Sequence, residues 1–304
     1  MIVTRFRAGL LATTLLLPVT ARAQRPAGDR LTWRDDLLAA DRAAADSAPA
    51  LGLADALARV AATEFVLVYP GAPVIAGRDT ARRMMAAQDA LKPLTVRWVP
   101  LFAEVSSDGT FGVSYGVTGI STTSPGVSLR FGKYLSAWRL TPDGWRLVAH
   151  AQIGLLPPTA FRALAQFRKP GVWALPPGGP VGDFARADID FSTLAGRDGA
   201  AAAFAAFAAA DAVLFPGSGE LARGPDAIRR VLSGGPPSAW RWNPVAGDAA
   251  ASGDLGFTVG EASITAQGET PVYTKYLSLW RREQDGRIRF IADGGNLRPA
   301  PGRP

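Results

Sequence analysis

Two hydrophobic periods follow one another along this chain of 304 residues, one helical and one extended. From Ala200 to Ala210 an alanine-rich run carries Phe204 and Phe207 three apart, on one face of a helix. Val213-Leu214-Phe215-Pro216-Gly217 then reads as a short strand and turn. Gly224-Pro225-Asp226 opens another helix, with the proline near the first turn, where a missing N–H costs little. After Trp240 the period becomes extended. Leu255 to Thr265, Val272 to Arg282 and Arg287 to Asp293 read as long strands, the last two joined across the hairpin signal Gln284-Asp285-Gly286. The same series stands earlier in the chain as Phe111 to Ser121, Leu129 to Leu140, an Asp143-Gly144 turn and Trp145 to Ala151. Helices first and antiparallel strands last predict an α+β unit whose helices pack on one face of the sheet.

The unit occurs twice. Lys133 to Gly144 (KYLSAWRLTPDG) returns as Lys275 to Gly286 (KYLSLWRREQDG), with eight of twelve residues identical and no gap. Arg97-Trp98-Val99-Pro100 returns as Arg241-Trp242-Asn243-Pro244, and Gly77-Arg78-Asp79 with Arg82-Arg83 returns as Gly224-Pro225-Asp226 with Arg229-Arg230. An internal duplication of this kind predicts one fold repeated head to tail. The first domain is expected over residues 31–156 and the second over 182–297. Leu156-Pro157-Pro158 and the run Pro176-Pro177-Gly178-Gly179-Pro180 mark residues 157–181 as a connector, and 298–304 (RPAPGRP) as a disordered tail.

The chain begins with Arg5 and Arg7, an apolar run from Ala8 to Val19, and the small-x-small site Ala21-Arg22-Ala23. This is the pattern of a secretory signal peptide over residues 1–23, cleaved after Ala23, and it predicts an exported, periplasmic protein. The apolar run is short of the roughly 20 residues that span a bilayer, and no stable membrane insertion is expected. With no cysteine the chain has neither disulfides nor thiol chemistry. Removing the leader takes three arginines and no acids, so the formal charge of +7 falls to +4. The remaining arginines are scattered, without a lysine-rich run or a basic stripe interleaved with aromatics, which argues against nucleic acid as a partner.

The helical start, Val213-Leu214-Phe215-Pro216 with Gly224 and Ala227-Ile228, and the closing strands Lys275 to Arg281 and Ile288 to Asp293 resemble the nuclear transport factor 2-like superfamily, which holds the SnoaL-like and ketosteroid-isomerase-like proteins. The second copy resembles a branch described as a domain of unknown function. The resemblance covers nearly all of the chain after the leader in two passes. It implies two tandem cone-shaped domains, each a strongly curved antiparallel sheet wrapped on N-terminal helices with a pocket between them. It also implies pairing through the sheets, either between the two copies of one chain as a pseudo-dimer or between two chains as a homodimer.

Candidate chemistry is sparse. His150 is the single histidine, which excludes multi-histidine metal sites, and no nucleophile motif accompanies it. No glycine-rich dinucleotide loop, phosphate loop or calcium-loop spacing is present, so no cofactor or metal is expected. With one inserted residue in the second copy, His150 aligns with Asp293, and family enzymes use an Asp or His near the pocket as general acid or base. For each of these two residues a structural group at a strand end is the favoured reading. Tyr134 alternates with Ser136 and Trp138, and Tyr276 with Ser278 and Trp280, on one strand face. These aromatics, with Trp98 and Trp242, are either pocket walls and hydrogen-bond donors to a ligand or packing residues of the sheet. Lys133 and Lys275 have the opposite parity and are expected outward or at a domain interface. The paired arginines Arg82-Arg83 and Arg229-Arg230 read as exposed helix faces. Together these features lead to a protein binding a small, largely apolar molecule. The alternatives are a cofactor-independent isomerase, lyase or hydrolase with Asp293 or His150 as base, and a purely structural or interaction module.

Overall fold

The computed structural model of the protein describes residues 29–91, 94–122, 130–157 and 182–302. The expected signal peptide and nearly all of the connector lie outside the described residues. The first half runs α1 (Arg30–Leu51), α2 (Leu53–Val60), β1 (Ala61–Val68), β2 (Val74–Ala76), α3 (Arg78–Leu91), β3 (Leu94–Val105), β4 (Phe111–Thr122), β5 (Arg130–Thr141) and β6 (Gly144–Leu156). The second half repeats it as α4 (Gly182–Asp198), α5 (Ala200–Phe207), β7 (Ala208–Phe215), β8 (Ala222–Arg223), α6 (Gly224–Ser233), β9 (Ser238–Ala249), β10 (Leu255–Ala266), β11 (Val272–Arg282) and β12 (Ile288–Leu297).

Each half is α+β, with a six-stranded sheet in the order β2-β1-β6-β5-β4-β3, or β8-β7-β12-β11-β10-β9. The sheets are antiparallel, as expected, except for one parallel pair in each, which makes them mixed. β1 lies parallel to β6, with Leu67 opposite His150, and β7 lies parallel to β12, with Leu214 opposite Asp293. A parallel neighbour needs a long crossover. Here a helix and four strands supply it, a connection that local periodicity does not report.

Helix entry is set by glycine. Gly52 and Gly199 separate the first two helices of each half at φ 81°, ψ 160° and φ 87°, ψ 156°, a region reserved in practice for residues without Cβ. The second helix of the second half stops at Phe207, three residues short of the alanine run, because Ala208 to Phe215 join the sheet beside β12.

Both faces of the central strands of each sheet are buried. On β5, Tyr134 and Trp138 join the helix-side core with Leu37, Ala44 and Leu57, while Leu135 and Ala137 turn to a second core. That second core is continuous through both halves, bringing Leu135, Ala151 and Ile153 together with Phe215, Leu277 and Leu279. Charged clamps accompany it. Arg139 binds Glu64 of its own half and Asp248 of the other, and Arg281 binds Asp211 of its own half at 2.9 Å and Glu104 of the other at 3.1 Å. The four acids occupy matching places on β1 and β7 and on β3 and β9, so one arrangement is made twice. Arg298, first residue of the expected tail, is anchored instead. Its N–H donates to the Tyr273 carbonyl at 3.0 Å and its guanidinium meets Glu261.

Candidate functional site

The site begins with an acid in the wrong place. Along α1 the buried stripe is Trp33, Leu37, Asp41, Ala44, Ala45 and Ala48, and along α4 it is Phe184, Asp188, Phe191 and Ala195. Helical spacing thus turns one aspartate of each helix into the core, where an unmet carboxylate would cost several kcal/mol, roughly, in lost hydration. The sheet meets it with donors. Asp41 accepts from Trp98 Nε1 at 2.9 Å, Ser114 Oγ at 2.8 Å and Tyr134 Oη at 2.9 Å. Asp188 accepts from Trp242 Nε1 at 2.9 Å and Tyr276 Oη at 2.8 Å, and Thr258 also bonds it. Burial raises both carboxyls while these bonds draw them back, leaving Asp188 at about 6.

Trp138 and Trp280 stand one layer further in. Their indole N–H groups donate to Ser114 Oγ at 2.9 Å and Thr258 Oγ1 at 2.7 Å. The recurring Tyr-x-Ser-x-Trp spacing therefore aims three side chains at one polar cluster in each half. The serine reaches the position where the copies differ: Ser136 Oγ lies 2.9 Å from His150 Nδ1, and Ser278 Oγ donates to Asp293 Oδ2. Strand register makes His150 and Asp293 equivalent, opposite Ser136 and Ser278. Burial pushes His150 down to about 3, so it is neutral in the fold, and its ring stacks on Tyr134 with centroids 5.6 Å apart. Burial pushes Asp293 up to about 7, helped by the nearby Asp188 and opposed by the Ser278 bond. Far from ending its strand, Asp293 sits inside β12, which continues through Gly294 and Gly295 to Leu297.

A cavity of about 260 Å³ opens in the second half between helices and sheet. Its wall is mainly apolar, built from Phe191, Phe204, Leu214, Leu232, Trp240, Trp242 and Ile264. The rings hold one another: Phe191 meets Trp242 edge-on at 4.6 Å, and Phe204 meets Trp240 at 5.8 Å. Against this wall stand Tyr276, Ser278 and Asp293. Gly260 makes room for the tyrosine, since a Cβ there would lie 2.1 Å from Tyr276 Oη.

No family model matches the chain, and no curated protein matches it. Solved structures do, each over about the length of one half. A nuclear transport factor 2-like protein with a cystatin-like fold from Novosphingobium aromaticivorans is 22% identical, covering 45% of this chain and 91% of its own, with a TM-score of 0.35. A ketosteroid isomerase-like protein from Erwinia carotovora is 16% identical, covering 38% and 91%, with a TM-score of 0.32. A nuclear transport factor 2-like protein of unknown function from Pseudomonas putida is 7% identical, covering 43% and 92%, with a TM-score of 0.37. The chain is similar to nuclear transport factor 2-like proteins in fold.

The residues singled out from sequence separate into three groups. Asp293, Tyr276 and Trp242 line the cavity together. Trp280 does not; it is fully buried behind that wall, bonded to Thr258. Trp98, Tyr134, Trp138 and His150 form the matching cluster of the first half and take no part in this cavity. Neither Lys133 nor Lys275 points outward, because both faces of the sheet are covered and both lysines are fully buried. Asp41 and Asp188 escaped sequence reasoning. Two signals carried them: an acid on the apolar stripe of a helix, and the same spacing, from 41 to 52 and from 188 to 199, to the helix-breaking glycine. Among the described residues no group of three or more His, Asp or Glu gathers as a metal site.

Proposed function

We propose that the second half binds a small, largely apolar molecule carrying one hydrogen-bonding oxygen. The observation that carries this reading is a buried carboxyl, Asp293, on the wall of an aromatic cavity of about 260 Å³. Apolar walls favour a dry ligand by burial, and a single polar group fixes its direction. Tetralone, a bicyclic ketone of suitable size and shape, tests it. Saturable quenching of tryptophan fluorescence, lost when Leu232 at the wall is enlarged to Trp, is the expected result; an undiminished signal in Leu232→Trp places the ligand elsewhere.

A second reading follows from the same carboxyl. Its raised pKa, about 7, suits a general base working near neutrality, with Ser278 holding one oxygen and leaving the other for a substrate. This favours cofactor-independent proton transfer next to a carbonyl. Deuterium uptake at the carbon beside the tetralone carbonyl should be accelerated by the wild type and not by Asp293→Asn, while quenching persists in both. Equal uptake by the two proteins removes Asp293 as the base.

The leader pattern supports export, and no described helix is long and apolar enough to cross a membrane. Periplasmic recovery of a chain beginning at Gln24 is the corresponding check. The shared core and the twin arginine clamps support pairing of the two halves within one chain, so a monomer is the expected mass in solution.

A further inference from the structure

The two halves repeat each other closely, yet their cross-connections near the cavity are unequal. Lys133, on β5 of the first half, is fully buried and reaches across to the second. Its Nζ donates to the Pro216 carbonyl at 2.7 Å and the Gly219 carbonyl at 3.2 Å, with Leu155 of its own half at 3.4 Å. Lys275, its counterpart, stays at home on Asn296 and the Leu297 carbonyl. Asn296 in turn sends its Nδ2 across, to the Val68 carbonyl at 3.1 Å and the Gln152 carbonyl at 2.6 Å. The residue matching Asn296 in the first half is Ile153, which has no such group. These cross-ties meet the rim of the second-half cavity at Pro216, which accepts from Lys133, and at Asn296, which donates to the first half; Gly217 and Leu297 line the rim beside them.

The backbone approach there is equally close. A Cβ on Gly154 would lie 1.8 Å from the Gly217 carbonyl, and one on Gly294 would lie 2.5 Å from Ile153 Cδ1. The turn after β7 is therefore seated directly on the first half. That turn has little of its own to hold it: Pro216-Gly217-Ser218-Gly219 is conformationally loose, and two of its carbonyls are taken by a cation from the other half. A buried ammonium ion is costly unless its donors are met, and here main-chain carbonyls meet them. Burial lowers this lysine to about 8, without a carboxylate among its hydrogen-bond partners to raise it.

We propose that Lys133 is a positioning residue for the second-half pocket, fixing the 216–219 turn so that the first half shapes the rim at which the ligand of the other half is admitted. The inference rests on the binding reading above. In this view the first half does not duplicate the function but completes the second half's site.

The test compares wild type, Lys133→Met and Gly154→Ala by tetralone quenching and by hydrogen exchange in the full chain. Lys133→Met keeps length and apolar stem while deleting the donors; Gly154→Ala leaves the lysine and pushes on the Gly217 carbonyl. The expected result in Lys133→Met is a fivefold or greater loss of affinity, with faster amide exchange confined to residues 217–222 and the strands of both sheets still protected. A folded Lys133→Met protein that binds within fivefold of wild type overturns the proposal. Should that variant not fold, Gly154→Ala carries the decision under the same threshold. If wild type itself gives no quenching, the binding reading fails. The exchange comparison then decides alone whether Lys133 fixes the 216–219 turn, and unchanged exchange over 217–222 overturns that role.

Discussion

A carboxyl turned into a core is tolerated only where donors converge on it, and removing it strands those donors. Asp41 is the clearest instance, since an indole N–H and two hydroxyls end on its oxygens. Asp41→Ala leaves three buried donors without their acceptor as well as a small void, and should cost about 3 kcal/mol or more in urea-induced unfolding. Asp41→Asn keeps one oxygen and should cost less. Asp293 behaves in the opposite sense with pH. Its folded pKa, about 7, lies above the ordinary carboxylate value, so the folded state holds a proton that the unfolded state has released. Its contribution is greatest below about pH 4 and is lost as pH rises through 7. Asp188, raised to about 6, adds a term of the same sign, so the comparison must be with a variant lacking only Asp293. Relative to wild type, Asp293→Asn should gain on the order of 3 kcal/mol between pH 4 and pH 8. A stability difference between the two proteins that stays flat across that range refutes the protonated Asp293. Single residues also limit what sequence could say: the alternation of Tyr276, Ser278 and Trp280 was legible, but the acid that Tyr276 meets, Asp188, comes from α4, about ninety residues earlier in the chain.

Elements inherit their limits from glycine and from the sheet. Gly199 ends α4 and starts α5 at φ 87° and ψ 156°, so Gly199→Ala should cost about 1–3 kcal/mol, with Gly52→Ala similar, read from thermal or urea midpoints. A neutral result at either position would mean that the backbone relaxes there. The strands β4, β5, β10 and β11 were legible because their alternation is local, and the turns that follow β5 and β11 carry Asp-Gly. Of the parallel neighbours, β7 was legible only over Val213 to Phe215, its alanine-rich start having been read as helix, and the parallel pairing of β1 and β7 was not, since their partners lie about eighty residues away. Likewise the end of β12 was cut short at Gly294-Gly295. Glycines there signal a break in isolation, yet inside the sheet they are required, because a Cβ on Gly295 would lie 2.2 Å from the Lys275 carbonyl. Candidate chemistry suffers from the same locality. The serine and the aspartate that hydrogen-bond in the second half are adjacent only after β11 and β12 pair.

At the scale of the whole molecule, a core that runs without interruption from Leu135 to Leu279 ties the halves into one unfolding unit. Calorimetry of the full chain should therefore show one transition rather than two. The twin arginines test the point from the charged side. Arg281 is fully buried and faces Glu104 across the interface, with Asp211 and Glu283 of its own half at 2.9 and 2.7 Å. Arg281→Met keeps much of the side-chain volume but leaves three poorly solvated carboxylates with no compensating charge from this position, an imbalance worth roughly 3–5 kcal/mol. Because the groups are shielded from solvent, salt should restore little of it. Arg139→Met removes the matching clamp, whose arginine is more exposed than Arg281 and holds two acids instead of three, and should cost less. Both variants should lower the single transition without splitting it, since the apolar contact between the sheets is untouched. Two resolved transitions in Arg281→Met would show instead that the charged clamp, and not the shared core, makes the halves melt together.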